Sequence, residues 1–477
     1  PRERDYVYVG SFYAFSIFIG MGVLYFFDLL KNKLKPHLAA LISTTVALVL
    51  VPGILASENW DDHDRSGRRT AHNFAYNYLV GLDEHALIFT NGDNDTFPLW
   101  YIQEVEGVRT DVRVCCMPFL PQDWYIDQLK RTYYESKALP LSMEFEQYRQ
   151  GKRGMVPILD RVKRPADLKQ VIEFALSDDP AAMVPSTTGR QFNYLPAATF
   201  VLPVDREKVV ANGTVSPERA AQVDTAIVWT MLRQGQEQGN VYKDELVMLD
   251  LLAHNEWERP IYYTTPGQSG SVKLDNYLEL QGLSYRLVPI QGERQSSMTG
   301  NVNTTILYDN LMNKFRYTNF NNPKVYQDEN CRRMMQNLKN NFNRLAGTLI
   351  NEGQTARAVE VLNKLEEVMP KAIMGYTYLD VDNVDLWYQA GDRGKGLETA
   401  KFVFDHVRDN MNYFLSLPSR FVLAMNQDIQ FAFAYELQPL LQILENHGEE
   451  DLFKEVESKY NDYYNRYMAK TGGGGPR

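Results

Sequence analysis

Two long runs without a charged residue open the chain, residues 6–27 and 38–57, and each is about the length of a helix that crosses a hydrocarbon core. Both are expected to span a membrane. Tyr6, Tyr8, Tyr25, Phe26 and Phe27 sit towards the ends of the first run, as interfacial rings do, and Pro52-Gly53 in the second is tolerated in lipid. The connector carries Lys31, Lys33 and Lys35, whereas the residues before the first run balance Arg2 and Arg4 against Glu3 and Asp5. Positive charge is retained in the cytoplasm, so the connector should lie inside and everything after the second run outside.

Past the membrane the pattern changes to short apolar runs separated by helical periodicity. A helix is expected over 71–79, capped by Asp64 or Ser66, then a strand at 86–90, a helix at 97–106 with Pro98 in its first turn, a strand at 112–117 and a helix at 121–134. The same alternation returns as a helix at 244–253, a strand at 260–264, a helix at 274–281 and a strand at 285–289. Alternating strands and helices argue for a mainly parallel sheet. Between the two stretches the pattern is irregular, with a hairpin-like segment at 197–210 around Pro203 and a helix at 217–232. Beyond residue 322 the chain reads as helical. Small residues mark tight helix-to-helix turns within 345–358 and 387–396, with a weaker echo at 446–450.

The expected fold is therefore two transmembrane helices (1–57, with a cytoplasmic loop at 31–36), then an α/β domain with a mainly parallel sheet (58–310, with an insertion at about 141–235), then an all-α tetratricopeptide-like or helical-bundle domain (322–470) and a flexible tail (471–477).

Composition narrows the classes. The net charge of −10, with both signs interspersed, lacks the basic stripe that neutralises phosphates, so no nucleic acid is expected as a partner. The 29 Tyr and 23 Phe suit a carbohydrate- or protein-contacting surface as well as an aromatic-rich core. Cys115 and Cys116 fall inside an apolar run and read as filling of a buried strand, with no disulfide framework and no Cys-based zinc site. The sequence opens at Pro1 without a signal peptide's charged region or cleavage site, and is expected to be the C-terminal piece of a longer protein.

Candidate chemistry gathers in two places. Asn91, Asp93, Asn94 and Asp95 follow the strand at 86–90, at the end where open parallel sheets bind ligands. The Asp-x-Asp spacing there would suit a divalent cation and a diphosphate, or equally a turn and a helix cap. Glu256 and Arg259, just before the strand at 260–264, either line the same cleft or form a local ion pair. The second place is the juxtamembrane cluster Asp61, Asp62, His63, Asp64, Arg65, Arg68 and Arg69, where arginines would suit a lipid-linked phosphate. Interfacial anchoring with helix capping, and a metal site, compete with that reading. No Ser-His-Asp order, phosphate-cradling glycine loop or His-x-x-x-His helix is present.

Four stretches carry a family resemblance: Glu58-Asn59-Trp60-Asp61-Asp62-His63-Asp64-Arg65-Ser66, Gly92-Asp93-Asn94-Asp95-Thr96-Phe97-Pro98-Leu99-Trp100, Val108-Arg109-Thr110-Asp111-Val112-Arg113-Val114 and Asn255-Glu256-Trp257-Glu258-Arg259-Pro260-Ile261-Tyr262. Together they resemble a bacterial multi-spanning membrane family related to the protein O-mannosyltransferase-like glycosyltransferases of the lipid-donor, GT-C type. The resemblance implies a parent protein in the bacterial inner membrane with many membrane helices, a lipid-linked sugar donor, a protein or glycan acceptor, and acidic catalytic residues in an early extracytoplasmic loop. This chain is similar to the last two helices and the periplasmic part, so its own catalytic residues stay unassigned, as do cofactors beyond an optional divalent cation. Two other classes remain open: a membrane-anchored scaffold that binds a protein partner through its helical repeats, and a metal-dependent enzyme within the α/β domain.

Overall fold

The computed structural model describes residues 5–185, 189, 191–232, 236, 238–265, 272–292 and 300–472. Arg2, Glu3, Arg4 and most of the expected tail lie outside these. The chain forms two compact units, one comprising the residues up to Arg68 with Pro323–Asp328, the other the remainder.

In the first unit, two helices are long and apolar enough to cross a membrane, Tyr6–Lys31 and Pro36–Trp60. The first contains α1 (Val9–Lys31), whose side chains are nearly all exposed; Phe12, Phe18 and Leu24 each show more than half their surface, as lipid-facing residues would. The second is built from α2 (Pro36–Leu48), a wide turn at Val49–Gly53 and α3 (Ile54–His63). The wide turn surrounds Pro52, which has no N–H to give the helical ladder. Residues 58–63, which follow the second apolar run, continue this helix.

The second unit starts with α4 (Thr70–Val80), β1 (Leu87–Thr90), α5 (Asp93–Glu106), β2 (Arg113–Cys116) and α6 (Asp123–Leu129). Two expected details change. The residue before α4 is Arg69, with no side-chain cap, while Asp64 accepts a bond from the Ser66 N–H. Helix α5 starts four residues earlier than expected, which moves Pro98 into its second turn, and α6 is half the expected length.

The insertion differs most from expectation. Its elements are β3 (Met155–Ile158), α7 (Leu168–Leu176), β4 (Thr199–Pro203), α8 (Arg206–Ala211), β5 (Ala226–Thr230) and β6 (Gly239–Tyr242). The hairpin expected at 197–210 is not formed: Asp205 caps α8 by accepting from the Lys208 N–H, and β4 pairs with β5 instead. That strand lies within the stretch read as a helix at 217–232, of which only a short 3-10 turn, Pro217–Gln222, survives. Ile227 and Trp229 are buried while Val228 is exposed, the period of two that defines a half-buried strand.

The chain then returns through α9 (Lys243–Asn255), β7 (Ile261–Tyr263), β8 (Leu278–Leu280), β9 (Tyr285–Leu287) and β10 (Asn301–Val302). The expected helix at 274–281 is a 3-10 turn followed by β8, whose three residues are all buried in mid-sheet. The main sheet runs β10-β8-β9-β7-β1-β2. Strands β2, β1 and β7 are parallel, with Leu87 opposite Arg113 and Ile261, while β9 is antiparallel to both β7 and β8. Leu87 and Phe89 pack into one core layer and Ile88 into the other, with Leu99, Ile102 and Tyr262, so both faces of the sheet are covered. Cys115 and Cys116 are buried free thiols of this core.

From residue 329 to 471 the chain is all helical. Helices α10 (Glu329–Asn351) and α11 (Thr355–Val368), α12 (Leu379–Gln389) and α13 (Arg393–Ser416), α14 (Gln438–Asn446) and α15 (Glu450–Thr471) form three hairpins. Each turn holds a glycine in the left-handed region, Gly353, Gly391 and Gly448, where a Cβ would be strained. Their leading helices stack, α10 on α12 and α12 on α14. The first contact is stitched by a buried Lys339–Asp380 ion pair at 2.5 Å and by Asn383 donating to Asn343 at 2.6 Å.

Candidate functional site

A cavity of about 500 Å³ opens where β1 and β7 end. Because the chain leaves β1 towards β2 on one side and β7 lies on the other, the loops diverge here, the place where open α/β sheets leave a crevice. Its floor is Asn91, Gly92, Asn94 and Asp95 after β1 with Thr264 and Thr265 after β7. One wall is α4, through Phe74 and Tyr78. The other is α10, through Met334, Asn337 and Asn341 at spacings of three and four, with Asn340 beside them.

The floor is held by Asp95. Its carboxylate accepts from the N–H groups of Asn91 at 2.8 Å and Gly92 at 2.9 Å, and from the Thr264 hydroxyl at 2.8 Å. This is a capping arrangement for α5 that also ties the ends of β1 and β7 together. Below it the hydroxyls of Thr90 and Thr96 are bonded at 2.6 Å. Pro98 offers no N–H, so the helical bond to the Asn94 carbonyl is missing.

Of the other candidates, Asp93 is exposed and does not line the cavity. The pair therefore does not fit a shared divalent cation: Asp95 is committed to three donors, and among the described residues no group of three or more His, Cys, Asp or Glu could hold a metal ion. Glu256 and Arg259 are not brought to the cleft, because both precede β7 and so lie at the amino end of the sheet. Glu256 ends α9 in the left-handed region and reaches Lys169 at 3.5 Å. Arg259 donates to the carbonyls of His85 and Lys137 and to the Ser136 hydroxyl, and burial pulls its guanidinium down to about 10.

In the first unit, the side chains of Asp61 and Asp62 lie outside the described residues. His63 Nδ1 lies 2.8 Å from the Asn59 carbonyl, and the Ser66 hydrogen bonds hold the Asp64 carboxyl below its usual range. Arg65 is exposed, while Arg68 pairs with Asp328 at 2.5 Å and lies against the Tyr326 ring. Arg69, which opens the second unit, is exposed.

The residues that complete the cleft were not singled out from the sequence. The side chains of Asn337, Asn340, Asn91 and Asn94 make no hydrogen bond among the described residues, whereas Asn341 donates to the Gly282 carbonyl. Their signal was the density of asparagine in the middle of a helix, where that residue is a poor helix former. Tyr78 is held neutral: burial, then the Asp95 carboxylate and Tyr285, push its hydroxyl pKa upward. The described lining contains one charged residue, Asp95, and no Lys or Arg.

Residues 71–306 match the family model described as TMEM260-associated domain 2. No curated protein and no solved structure matches the chain. The TMEM260-associated stretch runs from α4 through β10, so it includes the floor of the cleft and its α4 wall, while the α10 wall with Asn337 and Asn340 falls beyond it.

Proposed function

We propose that the chain is the extracytoplasmic, periplasmic C-terminal part of a glycosyltransferase-like protein of the bacterial inner membrane, and that its cleft holds the acceptor. In the parent protein a lipid-linked sugar is transferred to a protein or glycan, with the catalytic carboxylates supplied from elsewhere in the membrane portion. Three things support this reading. The motif stretches resemble that family, residues 71–306 match a domain associated with the O-mannosyltransferase-like TMEM260, and two helices are long and apolar enough to anchor the chain.

The observation that carries the acceptor role is the cleft's polarity. Among the described lining residues the single carboxylate, Asp95, accepts three hydrogen bonds, two as a helix cap and one from Thr264, and no second acid or base stands beside it to activate a hydroxyl. The described lining has no Lys or Arg to meet a donor phosphate. What is left are neutral groups suited to holding an acceptor. A donor phosphate would instead meet the juxtamembrane arginines, of which Arg65 and Arg69 are exposed.

The test uses the parent protein. Asn337→Ala with Asn340→Ala should raise the acceptor KM and leave kcat and membrane insertion nearly unchanged, while the 477-residue chain alone should transfer no sugar. An unchanged KM, or transfer by the isolated chain, would defeat the reading. Thiol labelling at Asn212 or Asn303 from outside intact cells checks the orientation, and labelling only after lysis would reverse it.

A second reading, a scaffold that binds a protein partner, is favoured by a polar groove of about 780 Å³ along the stacked leading helices, lined by Asn343, Arg344, Asn351, Asp382 and Asp385. It predicts that substitutions at Asp382 and Asp385 release a partner from purified complexes while the Asn337 and Asn340 changes do not.

A further inference from the structure

We propose that the cleft at the carboxyl ends of β1 and β7 is a binding site for a neutral sugar, an inference that rests on the acceptor reading and narrows the acceptor to a glycan. The cavity of about 500 Å³ falls within the usual range of small-ligand sites, roughly 300–1,000 Å³. Among the described residues, the side chains that line it without a hydrogen bond are four carboxamides together with the hydroxyls of Tyr78 and Thr265. Asn91 and Asn94 on the floor and Asn337 and Asn340 on the α10 wall each present a carbonyl oxygen and an NH2 group a short distance apart. A sugar's adjacent hydroxyls are each donor and acceptor at once, so a planar amide satisfies two of them together.

Phosphates, nucleotides and acidic sugars need a cation, and the described lining has none. They would also meet the Asp95 carboxylate. An extended peptide pairs its main chain with a sheet edge, whereas this cleft lies at the strand ends, where no row of ladder groups is exposed. The aromatic component completes the match: Phe74, Tyr78 and Tyr285 line the cavity, and rings of this kind give the C–H faces of a pyranose an apolar surface. Two asparagines in the interior of α10 weaken the helix, and among the described residues their side chains make no compensating hydrogen bond. A ligand supplies the missing reason for them.

The experiment is saturation-transfer NMR and titration calorimetry on the full chain in nanodiscs, with the methyl glycosides of mannose, glucose, galactose and N-acetylglucosamine as probes. At least one should bind saturably, and its affinity should not change between about 0.05 and about 0.5 M salt, because neither partner is charged. Asn337→Ala with Asn340→Ala should weaken it at least tenfold with no change in thermal midpoint, and Asn94→Ala should weaken it alone. No saturable binding by any glycoside, or wild-type affinity in the folded double variant, overturns the proposal. The acceptor reading fails separately. A photo-crosslinker at Asn340 of the parent that captures an unglycosylated polypeptide acceptor, with no glycoside bound, removes the sugar and keeps the acceptor. Capture of nothing alongside no glycoside binding removes both.

Discussion

The two ends of the main sheet are both lined with polar residues, and they differ in what those residues have left to give. At the amino end, Arg109 makes five hydrogen bonds, to the carbonyls of Leu79, Leu82 and Asp83 and to both oxygens of Asp111. Arg113 donates to the carbonyls of Arg131 and Ser136 at 3.0 and 2.9 Å, and Arg259 to those of His85 and Lys137. These guanidiniums bind loops that must turn beneath β1, β2 and β7. At the carboxyl end the cap is made by one carboxylate, and of the surrounding amides the side chains of Asn91, Asn94, Asn337 and Asn340 stay uncommitted among the described residues. Polarity alone marks both ends; unspent hydrogen-bonding capacity marks only the second as a site for something else.

The sharpest way to break this comparison is at the amino end. Arg113→Ala removes a buried charged donor and orphans the carbonyls it serves, so unfolding of the full chain in urea should show a loss of about 3 kcal/mol. A loss under about 1 kcal/mol would mean that water replaces the guanidinium, and the structural assignment of this end would fall. Asp95→Ala is the next largest. Losing the α5 cap and the tie to Thr264 should cost about 1–2 kcal/mol, with Asp95→Asn recovering part of it. If instead the stability of Asp95→Ala matched the wild type, the carboxylate would be free for chemistry and the two ends would no longer differ as described.

A smaller effect comes from His254, on the α9 side of the amino end. Its Nδ1 lies 3.0 Å from the buried Asp250 carboxylate, which also accepts from Ser142, and that bond raises the imidazole pKa above its ordinary 6.5. A raised pKa means the fold prefers the protonated ring. The contribution is complete below pH 6.5 and fades as pH climbs through the raised value. The unfolding free energy should therefore drift down across neutral pH by about 1 kcal/mol or less, because the imidazole keeps some contact with solvent while Asp250 is buried. His254→Gln should flatten that drift, and an unaltered slope would exclude the pair as its source.

The strands beneath this site were legible because β1, β2 and β7 are short, mostly apolar runs bounded by turn residues, and α4, α5 and α9 carry helical periodicity long enough to outweigh their ends. The insertion was misread because Ala226–Thr230 offers only one full alternation, too short to separate a strand from one face of a helix. Leu278–Leu280 gave the same ambiguity. Half of the cleft was visible as the loop after β1. The other half comes from α10, which only tertiary packing brings opposite, and no local rule pairs Asn94 with Asn340. Arg259 read as a cleft candidate because a sequence shows a donor but not whether its partners, here the His85 and Lys137 carbonyls, are already present.

The smallest expected change is the one that bears most directly on the difference between the ends. Asn337 is exposed and Asn340 half-buried, and neither side chain holds another group among the described residues. Replacing both with alanine removes no bond, and alanine is the better helix former, so stability should stay within about 0.5 kcal/mol of the wild type or rise slightly. The same pair of changes should abolish most of whatever the cleft binds. A residue kept for structure behaves in the opposite way, as Arg113 is expected to. Should the double variant lose more than about 1 kcal/mol, the amides must hold the α10 wall in place, and the carboxyl end would then be as structural as the amino end.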